Sequence, residues 1–379
     1  MAASIDRVKA CKQAMIEKHG KPDDFRGLFE LLGALLPLGL FWWLAIRLAP
    51  VSLWLTAGAG VFIVAFLVRC FALMHECGHY SLFRSRRFNR YAGFVLGVIN
   101  GMPQQVWAQN HNYHHVCNGD WERYKGPYTT KSVDEYAALS PGMQRLYRTR
   151  CSVLVTPLVG FIYLIFNPRF NWMRGSIAFL LHMAGVSKAA RGVPLRQRAA
   201  SFRTRIWRNR KDYWHMFWNN TVLLSLWAAM SWLCGPALFF TVYLITLSLA
   251  GAIGIILFTV QHNFEGSYAS FTADWDYDAG AISGTSYMLL PAWLNWLTAN
   301  MAYHHIHHLS TAIPGYRLAE CHREFEHLFV DVSRLRLSQV HHALKCILWD
   351  TQKRQIVTFA EYRQRIAAAE LGASVAGPA

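Results

Sequence analysis

Acidic residues are scarce in this chain. Its 379 residues hold 22 Asp and Glu against 38 Lys and Arg, a formal net charge of +16, and charged residues together make up only 16%. Paired cysteines are missing too: the eight (Cys11, Cys70, Cys77, Cys117, Cys151, Cys234, Cys321 and Cys346) are scattered without a CxxC pair or secreted-domain spacing. That excludes a disulfide framework and fits a reducing compartment or a membrane. The N-terminus spreads charges from Asp6 to Arg26 before any apolar run, so a cleavable signal peptide is not expected.

What is present is apolar surface. Hydrophobic residues make up 53% and aromatic residues 14%, and mean hydropathy is positive, which excludes an ordinary soluble enzyme. Leu28 to Ile46 and Val51 to Val68 are each close to the ~20 residues that cross a bilayer. The short turn Arg47-Leu-Ala-Pro50 makes them a hairpin. Thr221 to Leu233 and Pro236 to Val260 form a second hairpin, joined at Cys234-Gly235-Pro236. Weaker stretches at Tyr91 to Val106, Ser152 to Phe166, Ser176 to Val186 and Gly284 to Leu297 contain Pro, Gly or polar residues and read as interfacial or re-entrant.

Orientation follows from the basic residues. The N-terminal segment, Arg84 to Arg90, and Lys188 to Lys211, with nine basic and no acidic residues, fall on one side of a four-span chain. Both termini are therefore expected in the cytoplasm. The basic stretch reads as a topology signal with anionic lipid contact rather than as a nucleic-acid site.

On that same side lie three histidine clusters: His75-Glu-Cys-Gly-His79, His111-Asn-Tyr-His114-His115, and His304-His-Ile-His307-His308. Residues three and four apart share one helix face. The offsets i, i+4; i, i+3, i+4; and again i, i+3, i+4 thus present eight imidazoles that can converge. His262, ending another apolar run, is a ninth. Lone histidines, namely His182, His215, His322, His327, His341 and His342, are expected to be hydrogen-bonded core or interface residues. Eight histidines at repeated offsets on one membrane face are a poor way to fill space, so they read as metal ligands.

His75-Glu76-Cys77-Gly78-His79 also spells HExxH, the zinc protease helix motif. A zinc protease needs three protein ligands and an open position, which leaves most of the clustered histidines without a role. Two ions sharing the set account for all of them. A large imidazole set with positions left for oxygen favours redox-active iron over closed structural zinc.

The series HxxxH, HxxHH and HxxHH resembles the three histidine boxes of the integral-membrane fatty acid desaturase family. Further pieces are similar to its bacterial acyl-lipid members: His75-Glu-Cys-Gly-His-Tyr-Ser-Leu-Phe83, Gln261-His262-Asn-Phe-Glu265, Asn300-Met-Ala-Tyr-His-His-Ile-His-His-Leu309, Ile313-Pro-Gly-Tyr-Arg-Leu318, Leu348-Trp-Asp350 and Ile356-Val-Thr-Phe359. The resemblance implies an all-α polytopic membrane protein: four transmembrane helices in two hairpins under a helical cytosolic cap that holds two iron ions, with O2 as co-substrate. The implied ligands are His75, His79, His111, His114, His115, His262, His304, His307 and His308. His305 has no role in that pattern. Glu76 is a candidate to orient a neighbouring imidazole. Trp107, Trp293, Trp296 and Tyr303 are candidates for the wall of an acyl tunnel or for interfacial anchors.

A single domain is expected over 1–379. It comprises a cytosolic segment (1–27), a first hairpin followed by the first box (28–73), a cytosolic or interfacial segment with the second box (74–220), the second hairpin (221–260), the cap (261–370) and a disordered tail (371–379). No His-Pro-Gly-Gly haem motif occurs, so electrons are expected from a separate ferredoxin or cytochrome b5 type protein. The implied reaction is desaturation of a membrane lipid acyl chain, Δ12-like by resemblance, in a bacterial inner membrane. The same boxes serve hydroxylases and ketolases, which are the alternative; a metal transporter would place its ligands nearer mid-membrane.

Overall fold

The computed structural model describes residues 2–126, 129–185 and 192–375, most of them helical. The helices that shape the site are α1 (Ala2–His19), α2 (Asp24–Leu48), α3 (Leu53–His79), α4 (Arg86–Ile99), α5 (Gln104–Cys117), α6 (Val153–Met183), α7 (Arg210–Cys234), α8 (Pro236–His262), α9 (Tyr277–Ser283) and α10 (His304–Leu309). Four of them, α2, α3, α6 and α8, are long and apolar enough to cross a membrane.

Their starts follow local chemistry. Asp23 accepts the Arg26 N–H at 2.7 Å to begin α2, and the Ser52 hydroxyl caps α3. Both satisfy donors that a helix start leaves free. Between α7 and α8, Gly235 sits at φ +83°, a conformation that favours glycine. Both expected hairpins form. The first is locked by an ion pair between the buried Arg69 and the partly buried Glu30, with the Arg69 guanidinium 3.7 Å from the centre of the Trp296 ring.

The third apolar helix differs from expectation. The stretches 152–166 and 176–186, read as separate interfacial pieces, are joined in α6 as far as Met183; residues 186–191, with Lys188 and Arg191 of the basic stretch, lie outside the described residues. Pro168 does not break this helix, because a turn of π-helix (Ile162–Phe166) precedes it and Arg169 donates to the carbonyls of Leu164 and Ile165 at 2.9 and 3.0 Å. A proline frees carbonyls of this kind, and the guanidinium takes them up. Conversely α7, expected as a span over 221–233, is long enough but falls short of the hydropathy of a crossing, since its first half carries the buried polar residues Asp212, Asn219 and Asn220. α6 and α8 cross at glycines: a Cβ on Gly160 would stand 2.8 Å from the Gly251 carbonyl carbon. Small residues allow such close approach between apolar helices.

Five short strands were not foreseen. β1 (Lys131–Ser132), β4 (Cys346–Asp350) and β5 (Gln355–Thr358) form one sheet in the order β1-β4-β5, and β2 (Ser286–Leu289) pairs in parallel with β3 (Ser333–Arg336). α1 lies along the cap, with Val8 and Met15 fully buried, Lys9 2.7 Å from Asp276 and Lys12 2.7 Å from Asp278. The final helix, Phe359–Val375, runs into the segment expected as a disordered tail, and residues 376–379 lie outside the described residues.

Candidate metal centre

α3 and α8 are antiparallel to their hairpin partners and deliver their last turns, bearing His75, His79 and His262, to one end of the helical bundle. There α5 and α10 add the remaining six histidines. All nine sort into two groups, His75, His79, His111, His115 and His307, and His114, His262, His304 and His308. Within each group the ligand atoms lie within 4.8 Å of one another.

The sorting follows helix offsets. In α3 and α5 the i, i+4 pairs 75/79 and 111/115 enter the first group, while the i+3 residue His114 turns to the second. In α10 the pair 304/308 enters the second group and His307 turns to the first. In the first group the Nε2 atoms of His307 and His75 are 3.0 Å apart, those of His307 and His115 3.2 Å, and those of His115 and His111 2.9 Å. In the second, His262 Nε2 is 2.9 Å from that of His304 and 3.1 Å from that of His114. Two nitrogens each about 2.1 Å from one ion stand about 3.0 Å apart at a right angle and about 3.4 Å apart at a tetrahedral one. The donor set therefore fits one ion per group. The groups adjoin, with the rings of His115 and His308 stacked at 4.1 Å.

Burial, and then the neighbouring imidazoles, hold His111, His114, His115, His304, His307 and His308 well below the usual imidazole value. Neutral rings keep the lone pairs that metal binding needs.

The family model for fatty acid desaturases matches residues 52–341, which spans all three boxes. The chain belongs to the fatty acid desaturase family. It is 31% identical over 357 residues to a fatty acid desaturase of Bacillus subtilis (strain 168), covering 92% of each protein. It is 24% identical over 306 residues to an sn-1 oleoyl-lipid 12-desaturase of Picosynechococcus sp., covering 78% of this chain and 77% of that one. A Helianthus annuus chloroplastic sn-2 acyl-lipid omega-3 desaturase (ferredoxin) is 24% identical over 257 residues, covering 66% of this chain and 51% of that one. The desaturase is thus an oxidoreductase of lipid metabolism and, with four helices suited to a bilayer, a membrane protein.

Glu76 lies behind this desaturase's first group. One carboxylate oxygen accepts the Gly315 N–H at 2.7 Å and the Ser81 hydroxyl at 2.9 Å; the other stands 3.6 Å from His75 Nδ1. Gly315 is required there, since a Cβ would meet the Ala299 carbonyl oxygen at 2.6 Å. This placement disfavours the HExxH protease reading, in which Glu acts as the base: here its carboxylate is tied to Gly315 and Ser81.

Of the four tunnel candidates, Trp107 alone is placed against the histidines, lying flat on His111 with ring centres 4.7 Å apart and donating from Nε1 to the Tyr163 hydroxyl at 2.8 Å. Tyr303 instead stacks on Tyr287 at 4.9 Å, because it precedes α10 on the side of the off-face His305. Trp296 packs on Arg69, and Trp293 is 63% exposed. His305 pairs with His322 at 3.1 Å, clear of both groups. His215 accepts the Gln105 N–H at 3.2 Å, as expected of a lone histidine.

Residues not foreseen are Tyr124 and Phe258, whose rings flank His114 at 4.7 and 5.1 Å. Asp212 was missed as well. Fully buried, it accepts from the amides of Gln105 and Gln109 at 2.6 and 2.9 Å and ties α5 to α7. The spacing of those two glutamines, one turn apart on the histidine-bearing helix, was the available signal.

Proposed function

We propose that this desaturase holds one iron through His75, His79, His111, His115 and His307 and a second through His114, His262, His304 and His308, and with O2 introduces a cis double bond into an acyl chain of a membrane lipid. The division of nine buried nitrogen donors into two groups at ligand-to-ligand spacing carries this reading. Iron bound there would supply the oxidising power, drawn from O2 with two electrons and two protons, for removing two hydrogens from adjacent carbons while both oxygen atoms leave as water.

The chain's own residues do the rest. α5 and α10 fix the spacing of the two groups because each contributes to both. Glu76 holds the orientation of His75, and Trp107 holds that of His111 and closes one side against water. Since every methylene is chemically alike, the bond oxidised is set by how far along the chain it is held. A Δ12-like position draws support from the oleoyl-lipid 12-desaturase relative. A separate electron donor of the ferredoxin or cytochrome b5 type draws support from the ferredoxin named for the sunflower relative. A cytoplasmic placement of both termini draws support from the basic residues before α2 and after α3, and a bacterial cell membrane from the Bacillus subtilis relative.

The test is expression in a host without polyunsaturated lipids, with mass spectrometry of double-bond positions and metal analysis of the purified chain. New double bonds and about two irons per chain are expected. Hydroxylated or ketolated lipids would install the alternative reaction, and stoichiometric zinc without iron in active protein would overturn the proposal.

A further inference from the structure

α4 is the helix that the metal centre leaves unexplained. It follows α3 after residues 80–85, so it starts at the level where the histidine-bearing end of α3 leaves the apolar bundle. One face is closely packed. Gly93 sits where a Cβ would lie 3.0 Å from Gln104 Cδ and 3.1 Å from Cys77 Cβ, between the helices carrying the first two boxes.

The opposite face is uncovered. Phe88, Tyr91 and Val95, at i, i+3 and i+7, are 53%, 72% and 46% exposed. Beside them Arg84, Arg86, Arg87 and Arg90 are all exposed. Residues 80–100 contain no Asp or Glu, and among the described residues none of the four arginines has an acidic partner. Arg86 and Arg87 also stand in the first turn, at the positive end of the helix dipole, where cations are disfavoured and anions favoured. One carboxylate of the chain reaches this end, Asp24, which accepts the Ser85 N–H at 3.2 Å; four arginines beside a single carboxylate leave excess positive charge for anions from outside the chain.

The geometry points to a docking face for an anionic phospholipid surface: the arginines take lipid phosphates while Phe88, Tyr91 and Val95 enter the acyl boundary. An amphipathic helix with a basic flank and aromatic residues on its apolar face has this chemistry. An acidic protein would satisfy the arginines alone and leave the apolar stripe in water. Through Gly93, the docked helix bears directly on the box-bearing end of α3 and on the first residue of α5, so the lipid surface seats the two helices that carry the first two boxes.

The test uses the full-length chain in phosphatidylcholine nanodiscs doped with spin-labelled phosphatidylglycerol or spin-labelled phosphatidylcholine, reading the motionally restricted fraction of each. The native chain is expected to prefer phosphatidylglycerol several-fold. In R84Q/R86Q/R87Q/R90Q the preference should fall to near one. In F88S/Y91S restriction of both lipids should drop with the preference kept. An unchanged preference in the quadruple variant overturns the inference. So does its abolition by millimolar inorganic phosphate, which would mark a free-anion site, or a loss of affinity for an acidic electron carrier with lipid preference intact. The readout needs neither metal nor turnover, so it stands or fails separately from the desaturation reading.

Discussion

The two histidine groups share α5 and α10 but differ in their third wall. The five-membered group takes His75 and His79 from the long helix α3 and is backed by Glu76 and by the flat ring of Trp107. The four-membered group takes only His262, the last residue of α8, and borders an open cavity lined also by Tyr124, Asn263 and Gly284. One group has a nitrogen beyond four and a carboxylate behind it, while the other has no spare donor and a cavity beside it. Equal chemical type thus conceals unequal tolerance to loss.

The largest expected effect separates the groups by metal content. His262→Ala and His304→Ala each leave three nitrogens and should lose about one iron per chain, along with all product. His75→Ala, His111→Ala and His307→Ala should also abolish product, yet each leaves four nitrogens and should retain more of the ion held by its own group. Elemental analysis of the purified variants checks this, and equal iron loss from both groups would break the comparison.

Glu76→Gln comes next. It keeps the shape and the ability to accept from Gly315 but removes the charge facing His75. Partners of this kind are worth roughly 10–100-fold in metal affinity or activity, so iron affinity should fall within that range at normal expression, measured by chelator competition. A smaller effect is expected for Trp107→Phe. The contact with His111 survives while the hydrogen bond to Tyr163 is lost, a net ~0.5–1.5 kcal/mol, so turnover should drop a few-fold with iron content unchanged.

The smallest effect lies outside both groups. Asp276, although burial raises its pKa, is held below the usual carboxylate value by Lys9 and the Ala279 N–H, and Glu324 is lowered first by Lys18. Carboxylates with depressed folded-state values lend stability above their unfolded pKa and lose it as pH falls through the folded value. α1 should therefore loosen only below the ordinary carboxylate range. Hydrogen exchange across Ala2–His19 at stepped acidic pH tests this, and early release near neutrality would refute it.

Much of this was legible in residue order. Helical offsets placed the histidines on common faces, the paired apolar runs marked both hairpins, and Gly235 with Pro236 marked the second turn. α6 was missed because Asn167-Pro168-Arg169 looks like a break; only the structure shows Arg169 supplying the donors that Pro168 withdraws. Tyr303 sits beside the third box in sequence yet faces Tyr287, since adjacent residues on a helix point about 100° apart.

By itself, the sequence determined which side chains are available as ligands and on which helix faces they stand, because short-range periodicity governs both. Only the tertiary structure decided how nine nitrogens divide into five and four, that His114 and His307 cross to the opposite group from their helix neighbours, and that Glu76 backs His75 rather than entering the site. Those outcomes depend on how α3, α5, α8 and α10 converge, and that convergence is set by packing between distant segments, from the Gly160–Gly251 crossing to the Asp212 clamp on α5.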